Sequence, residues 1–568
     1  MKSRPILRPG ATRKRVPAAV GEWMERMNTN GLLVTGARVY TANPAYPWAE
    51  ALITQGNMLV FVGSEPEARF LVPPGTEHIH LDGGLLMPGI NESHVHLSMG
   101  SEILHELNLD GAQTQEQLRD RLGIYAAANP NKEWITGYGL SYTPLGHLTQ
   151  PERCALDEIV ADRPVFLRAV DFHTAWCNSL ALRQAGIAEG APLPLPNEVV
   201  VDRHGMATGM LKERQAYALI ERLWPEPTSA RRDAMLIEAM RYLNSLGITS
   251  FQNMDGDPER LIWYARLHEE GRLTLRANHY MSMREHFPRE RLEEFAELRR
   301  RYQGDWNRTH GIKMFIDGVI ESKTAAMLEP YADRSGETGI PDMDPQAHYE
   351  ISIAADRLGM DVSTHAIGDR GVRLTLDAYE AARKANPDRS RRRHRIEHIE
   401  TIDPADIPRL GRLGITASMQ PLHAVPNEDP RTSPWTTLAG PERARYAFPW
   451  RSLSRAGAVL SFGSDWPVVT PDPRAGIHSA LTRRTRDGEP KGGWYPEQSL
   501  TLAETLDAYT VGGAYAEGQE DRKGMLRERM LADFTCFAQD LFALSPAEIL
   551  SSHVVLTVVD GEVVYRTT

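Results

Sequence analysis

The chain has 568 residues, a formal charge of −11 and only three cysteines. The acidic balance argues against a nucleic-acid partner, because phosphate binding needs basic surface to displace counterions. Cys154, Cys177 and Cys536 are too few and too scattered for a disulfide framework or a CxxC zinc module, and no run is apolar enough to span a membrane, so a reducing cytoplasm is the expected location.

Residues 1–30 form a basic tail carrying Lys2, Arg4, Arg8, Arg13, Lys14 and Arg15. No apolar run follows, so the tail does not read as a secretory signal. From Gly31 short strands alternate with glycine turns, over 32–40, 51–62 around Gly56-Asn57, and 76–81. The same texture returns at 532–538 and at 554–564, where Asp560-Gly561 reads as a tight turn. These ends, 31–84 and 520–568, are expected to build one composite β-sandwich.

Between them, β-like runs alternate with helical patterns, the sign of repeated βα units. The runs lie near 85–94, 248–254, 273–281, 311–317, 361–366, 395–399, 415–420 and 459–465. Eight such strands close a (β/α)8 TIM barrel, expected over 85–519. Val372, Leu376, Tyr379 and Ala382 recur at helical spacing after the fifth run, so one face can pack on the sheet; similar stripes occupy 258–270, 403–413 and 501–516. Residues 100–247 are too many for one crossover and are expected to form an inserted lid after the first barrel strand. Arg391-Arg392-Arg393 reads as a solvated loop.

The chemistry centres on His94-Val-His96, preceded by Met87-Pro-Gly. Alternate residues of an extended segment share a face, so both imidazoles can serve one cation. His78-Ile-His80 has the same spacing without the Pro-Gly lead-in and reads as a surface strand. Four later segments supply company for His94 and His96 at the carboxyl ends of strands, where barrel enzymes place their chemistry. They carry Lys313 in a run ending Asp317-Gly318, His365 in "THAIGDRG", His398 in "HRIEH" and Asp465 in "FGSDWP". Taken together, six candidate ligands on one rim predict a metal centre.

Nitrogen and oxygen donors of this kind suit Zn2+ or a similar divalent ion. Such a cation lowers the pKa of water from about 15.7 to roughly 7. Asp465 fits a general base that takes the water's proton and passes it to a departing nitrogen. His173 and His423 are candidates to contact the developing oxyanion. Trp176, Trp466 and Glu321 are candidate substrate contacts. An ammonium cannot ligate a cation, so a metal role for Lys313 requires deprotonation or carboxylation by CO2. The plainer readings are core histidines, a helix-capping Asp465 and packing tryptophans. His394 precedes His398 at helical zinc spacing but sits in a β-like run, which favours a supporting role. No GxGxxG, GxxxxGK or GxSxG motif is present, so nucleotide and serine-hydrolase readings lack support.

Taken in order, these five motifs make the chain resemble the amidohydrolase superfamily, specifically amidohydrolase family 3 with its YtcJ-like and N-substituted formamide deformylase members, from about Gly31 onward. The resemblance implies metal roles for His94, His96, Lys313, His365, His398 and Asp465, with Lys313 carboxylated and bridging two ions. "VDFHTAWCNSLAL" around His173 and "ATGMLKE" around Gly209 also look like segments that line the substrate side. Departures are Glu92 where Asp is usual, Lys323 where Arg is common, a bulkier Val319-Ile320-Glu321 loop, and Arg527 to Leu531 in place of a Gly-Lys turn. The expected function is metal-dependent hydrolysis of an amide-type C–N bond in a small molecule, with one or two ions and a homodimer left open. The alternatives are a related deaminase or cyclic-amide hydrolase, or a catalytically silent member kept for binding or regulation.

Overall fold

The computed structural model describes residues 31–142, 144–145, 152–170, 172–224, 227–425 and 429–567; the tail expected over 1–30 lies outside them. Eight parallel strands form the central sheet: β1 Ile90–Val95, β2 Ile248–Gly256, β3 Arg276–Ser282, β4 Asn307–Phe315, β5 Asp361–Ala366, β6 Arg395–His398, β7 Thr416–Met419 and β8 Leu460–Phe462. They pair in chain order. Just past β8 the seam is closed by Asp465 N–H donating to His94 O at 2.7 Å, by His96 N–H donating to Trp466 O at 2.9 Å, and by a parallel bridge between Val95 and Trp466. The fold is the α/β TIM barrel that the alternating pattern predicts.

The helical stripes pack as their spacing requires. Asp369–Ala385 buries Val372, Leu376, Tyr379 and Ala382. The stripe over 501–516 is two helices, Leu502–Tyr509 and Val511–Ala516, because Thr510 leaves helical geometry at φ −123° and ψ −80°. Thr501 and Glu504 form a reciprocal capping box that fixes where the first of them starts.

Two small sheets combine the chain ends. One runs Glu562–Arg566, Val554–Val559, Phe534–Phe537, Leu85–Pro88, Arg38–Tyr40 and Trp48–Ala49; the other runs Met58–Gly63, Ala51–Gln55, Leu32–Thr35 and Glu77–His80. Leu32, Val34, Leu52, Leu86, Phe534, Leu556 and Val558 form their shared core. Asp560 and Gly561 both take positive φ, 57° and 81°, as a two-residue hairpin turn demands.

Two expectations need correction. The run 85–94 is not one barrel strand: Leu85–Pro88 pairs in the small sheet, and only Ile90–Val95 enters the barrel. The switch falls at Gly89, whose N–H donates to Asp533 O while Ile90 N–H donates to Gly247 O. A Cβ at 89 would sit 2.2 Å from Thr249 side-chain atoms, so the crossing needs glycine. Nor is 391–393 a solvated loop. Arg392 pairs with buried Asp356 at 2.9 Å and Arg393 with Glu520, and Arg391 alone stays exposed.

Between β1 and β2 the insertion builds its own mixed sheet, ordered Glu198–Val201, Ala207–Lys212, Thr174–Cys177, Val165–Ala169, Ile135–Leu140 and Leu107–Asn108, with separate apolar clusters that include Leu118 and Leu156 in one and Leu182 and Ile220 in the other. Its last helix, Ser229–Ser245, instead lends Leu236, Ala239, Met240 and Leu243 to the barrel core. Among the described residues no helix is long and apolar enough to cross a membrane.

Candidate metal centre

The strand ends bring the six expected ligands into one buried cluster. His94 is the last inward residue of β1 and His96 follows it; their rings lie 5.6 Å apart. Asp465 Oδ1 stands 3.3 Å from His94 Nε2 and 3.2 Å from His96 Nε2. His398, at the end of β6, has its ring 5.0 Å from that of His94 and 4.5 Å from that of His365. Lys313, fully buried on β4, has Nζ 4.5 Å from the centre of the Phe315 ring, which stacks on His365. His398 and Asp465 take positive φ, 74° and 62°. Such conformations in non-glycine residues concentrate at functional sites.

The cluster has donors with no protein partner. His94 Nε2, Lys313 Nζ and Asp465 Oδ1 are buried and make no hydrogen bond. Leaving such atoms unpaired is costly, of order 1–3 kcal/mol each. Among the described residues His94, His398 and Asp465 form the one group whose ligand atoms all lie within 4.8 Å of one another. Imidazole nitrogen and carboxylate oxygen facing inward are a donor set that fits a divalent cation.

Electrostatics favour ligand protonation states. Burial pulls His94 down to about 4 and holds His365 and His398 well below the usual histidine range. All three therefore stay neutral at ordinary pH, the form that offers a lone pair. Burial opposes ionisation of Asp465, yet its contacts with the imidazoles around it, among them a hydrogen bond from His96, keep its carboxylate well below the usual range. Burial also brings Lys313 down to about 8, so the neutral amine is within reach at physiological pH.

A second ring of residues, to none of which the sequence assigns this role, restrains the cluster. Glu397 Oε2 lies 2.6 Å from His94 Nδ1, and its Oε1 accepts from Ser363 Oγ at 2.6 Å and from Arg395. Burial raises Glu397, yet Arg395 and His94 prevail and keep it ionised. Gln420 Oε1 lies 2.8 Å from His398 Nδ1, and Gly318 O lies 3.1 Å from His365 Nε2. Each of these contacts restrains a ring, and for His94 the commitment of Nδ1 leaves Nε2 facing Asp465. Asp317 accepts from the backbone N–H groups of Ala326, Ile367 and Gly368, tying the loop after β4 to the one after β5; burial still pushes its carboxyl up to about 7. The one sequence signal for Glu397 is Arg395-x-Glu397, opposite charges on one face of a buried strand.

Glu92, noted as a departure, does not touch the imidazoles. Its Oε1 accepts from Ser464 N–H at 2.7 Å and from His94 N–H at 3.3 Å, bracing the barrel seam. His394 lies at the barrel's other end, with Nε2 3.1 Å from Asp356 Oδ1.

The other expected site residues divide. His173, from the insertion, has its ring 5.8 Å from that of His365. His423, in the turn Pro421–Ala424 after β7, stacks parallel to His398 at 6.0 Å, and its buried Nε2 has no partner. Glu321 is partly buried in the turn after β4; the Tyr331 phenol nearby is raised chiefly by burial, with Asp317 and then Glu321 adding to it. Trp176 is wholly buried in the insertion's own core, edge-on to Tyr142. The Trp466 ring packs edge-on to Tyr242 and against Gly100, where a Cβ would meet it at 2.3 Å. Both tryptophans are packing residues and not walls of the mouth, because their apolar area is spent between secondary-structure elements.

Comparisons with known proteins agree with this architecture. A sequence profile described as "Amidohydrolase family" matches residues 77–565. "Protein LONG AFTER FAR-RED 3" of Arabidopsis thaliana is 29% identical over 94% of this chain and 91% of its own length. "N-substituted formamide deformylase" of Arthrobacter pascens is 25% identical over 94% of this chain and 98% of its own. Among solved structures, an uncharacterized metal-dependent hydrolase from Pyrococcus furiosus superposes with a TM-score of 0.68 at 27% identity, covering 91% of this chain and 100% of that one.

Proposed function

The chain belongs to the amidohydrolase family, and from that premise we propose that it is a metal-dependent hydrolase that opens an amide-type C–N bond of a small molecule. One observation carries the reading: His94, His398 and Asp465 bring their ligand atoms within 4.8 Å of one another, and within the same cluster the buried His94 Nε2, Asp465 Oδ1 and Lys313 Nζ make no hydrogen bond. The relative named as a formamide deformylase and the solved structure named as a metal-dependent hydrolase support it.

His94, His96, His365, His398 and Asp465 would hold the cation, for which we assign Zn2+, with Lys313 completing a site for one or two ions. The neutral Lys313 amine would add to CO2, forming an N–C bond and releasing a proton, and so would turn a neutral nitrogen into a carbamate whose carboxylate could hold the cation. When bound, the cation supplies Lewis acidity that lowers the pKa of water from about 15.7 to roughly 7. Asp465 takes the water's proton and returns it to the departing nitrogen. His173 lies beside His365 and His423 beside His398, and both are assigned N–H donation to the developing oxyanion. Glu397, Gln420 and the Gly318 carbonyl keep the ligand rings from turning.

The test is a panel of N-substituted formamides, N-acyl amines and cyclic amides against zinc-reconstituted protein. Equimolar release of amine and acid, dependent on metal, is expected. Ammonia release would move the assignment to deamination, and a zinc-loaded chain inert to every C–N bond would overturn it.

A further inference from the structure

Among the insertion's residues, His173 and Glu213 stand beside the ligand cluster, His173 with its ring 5.8 Å from that of His365. Glu213 occupies the N-cap position of the helix Arg214–Glu221, yet its side chain makes no capping hydrogen bond. Its backbone stands at φ 64° and ψ 162°, a region almost reserved for glycine. What that conformation secures is a double link to His173: Glu213 N–H donates to His173 O at 2.8 Å, and Oε2 lies 2.9 Å from His173 Nδ1. Burial opposes the charge on Glu213, and His173 more than offsets it. Beneath the pair lies Gly318, where a Cβ would fall 3.1 Å from Glu213 Oε1 and 2.1 Å from Thr324 Oγ1. Gly318 also carries the carbonyl that holds His365 Nε2. A glycine thus lets the insertion's carboxylate and a ligand's anchor share one patch of backbone.

Capping is therefore not what Glu213 does, and its strained backbone is maintained where the insertion meets the ligand cluster. We propose that Glu213 is a positioning residue: its carboxylate holds a doubly protonated His173 ring by Nδ1–H, so that Nε2–H is presented to the carbonyl oxygen of a substrate seated beside His365. The insertion is then half of the carbonyl-binding site and more than a cover. This rests on the hydrolase reading above.

The test uses the zinc-loaded full chain and benzohydroxamate, a carbonyl-bearing chelator, titrated by calorimetry with zinc content measured in parallel. Glu213→Gln and His173→Gln should each weaken binding at least fivefold with zinc content unchanged, and the double variant should be no weaker than His173→Gln alone. A smaller effect of Glu213→Gln, or a double variant that loses the product of the two factors, overturns the proposal. Should Glu213→Gln not fold, N–H correlation spectra of histidine-labelled wild-type protein decide, with His173→Gln as the assignment control. Protons on both His173 ring nitrogens are expected, and a bare ring nitrogen overturns the proposal. Wild-type protein that takes up no zinc defeats the hydrolase reading instead, while the spectra still judge Glu213.

Discussion

The chain contains two His-x-His pairs on strands, and their internal geometry is almost the same. The rings of His78 and His80 lie 6.1 Å apart at 71°, those of His94 and His96 5.6 Å apart at 66°. Their surroundings share nothing. His78 and His80 are exposed on the edge strand Glu77–His80, and both reach the Thr35 hydroxyl, at 2.8 and 3.0 Å. His94 and His96 instead face Asp465, with His398 behind and Glu397 gripping the His94 ring. The motif supplies two nitrogens; the barrel supplies the opposing charge, the burial and the orientation that turn nitrogens into a cation site.

If surroundings decide, removing them should cripple the inner pair while it stays in place. The largest effect is expected at Asp465: Asp465→Asn should keep fold and zinc but lose roughly 10²–10⁴-fold in turnover, the usual worth of general acid–base catalysis. Near-normal turnover would exclude a proton-carrying role. Lys313→Ala should lower the zinc content and be partly restored by a short carboxylic acid that fills the vacated space. A full metal complement in that variant would contradict the bridge. Glu397→Gln leaves every ligand present and disturbs only the aim of His94. Zinc affinity should fall roughly 10–100-fold, as for other residues that orient ligands; an unchanged dissociation constant would mean that His94 needs no support.

How much of this was legible follows the same division. The ligands could be read because each stands at the end of an apolar, β-like run, so strand position and chemistry coincide in the sequence. Glu397 and Gln420 could not, because their partners lie on other strands, 303 residues away for His94 and, on the neighbouring strand, 22 for His398. The break at Gly89 was hidden for a related reason. Leu85–Pro88 and Ile90–Val95 read as one β-like run, and only the change of hydrogen-bonding partner from Asp533 to Gly247 separates them. Trp176 and Trp466 were misread because nearness to a motif says nothing about which way a ring points.

A smaller effect tests whether the insertion's contribution is held under strain. At an ordinary position glycine is less stable than alanine by about 1 kcal/mol. At 213 the order should reverse, with Glu213→Gly more stable than Glu213→Ala by about 1–3 kcal/mol, since only glycine takes φ 64° and ψ 162° freely. Equal melting temperatures for the two variants would remove the strain from the account.

The smallest expected effect concerns the outer pair and is the sharpest control. His78→Ala with His80→Ala removes two imidazoles from an exposed edge and leaves Ile79, the buried residue between them, in place. Stability should change by no more than about 0.5 kcal/mol, and zinc content should match the wild type. A drop in bound zinc would mean that an exposed pair with one shared hydroxyl binds metal without help. The burial and opposing carboxylate at His94 and His96 would then no longer explain why that pair lies at the centre.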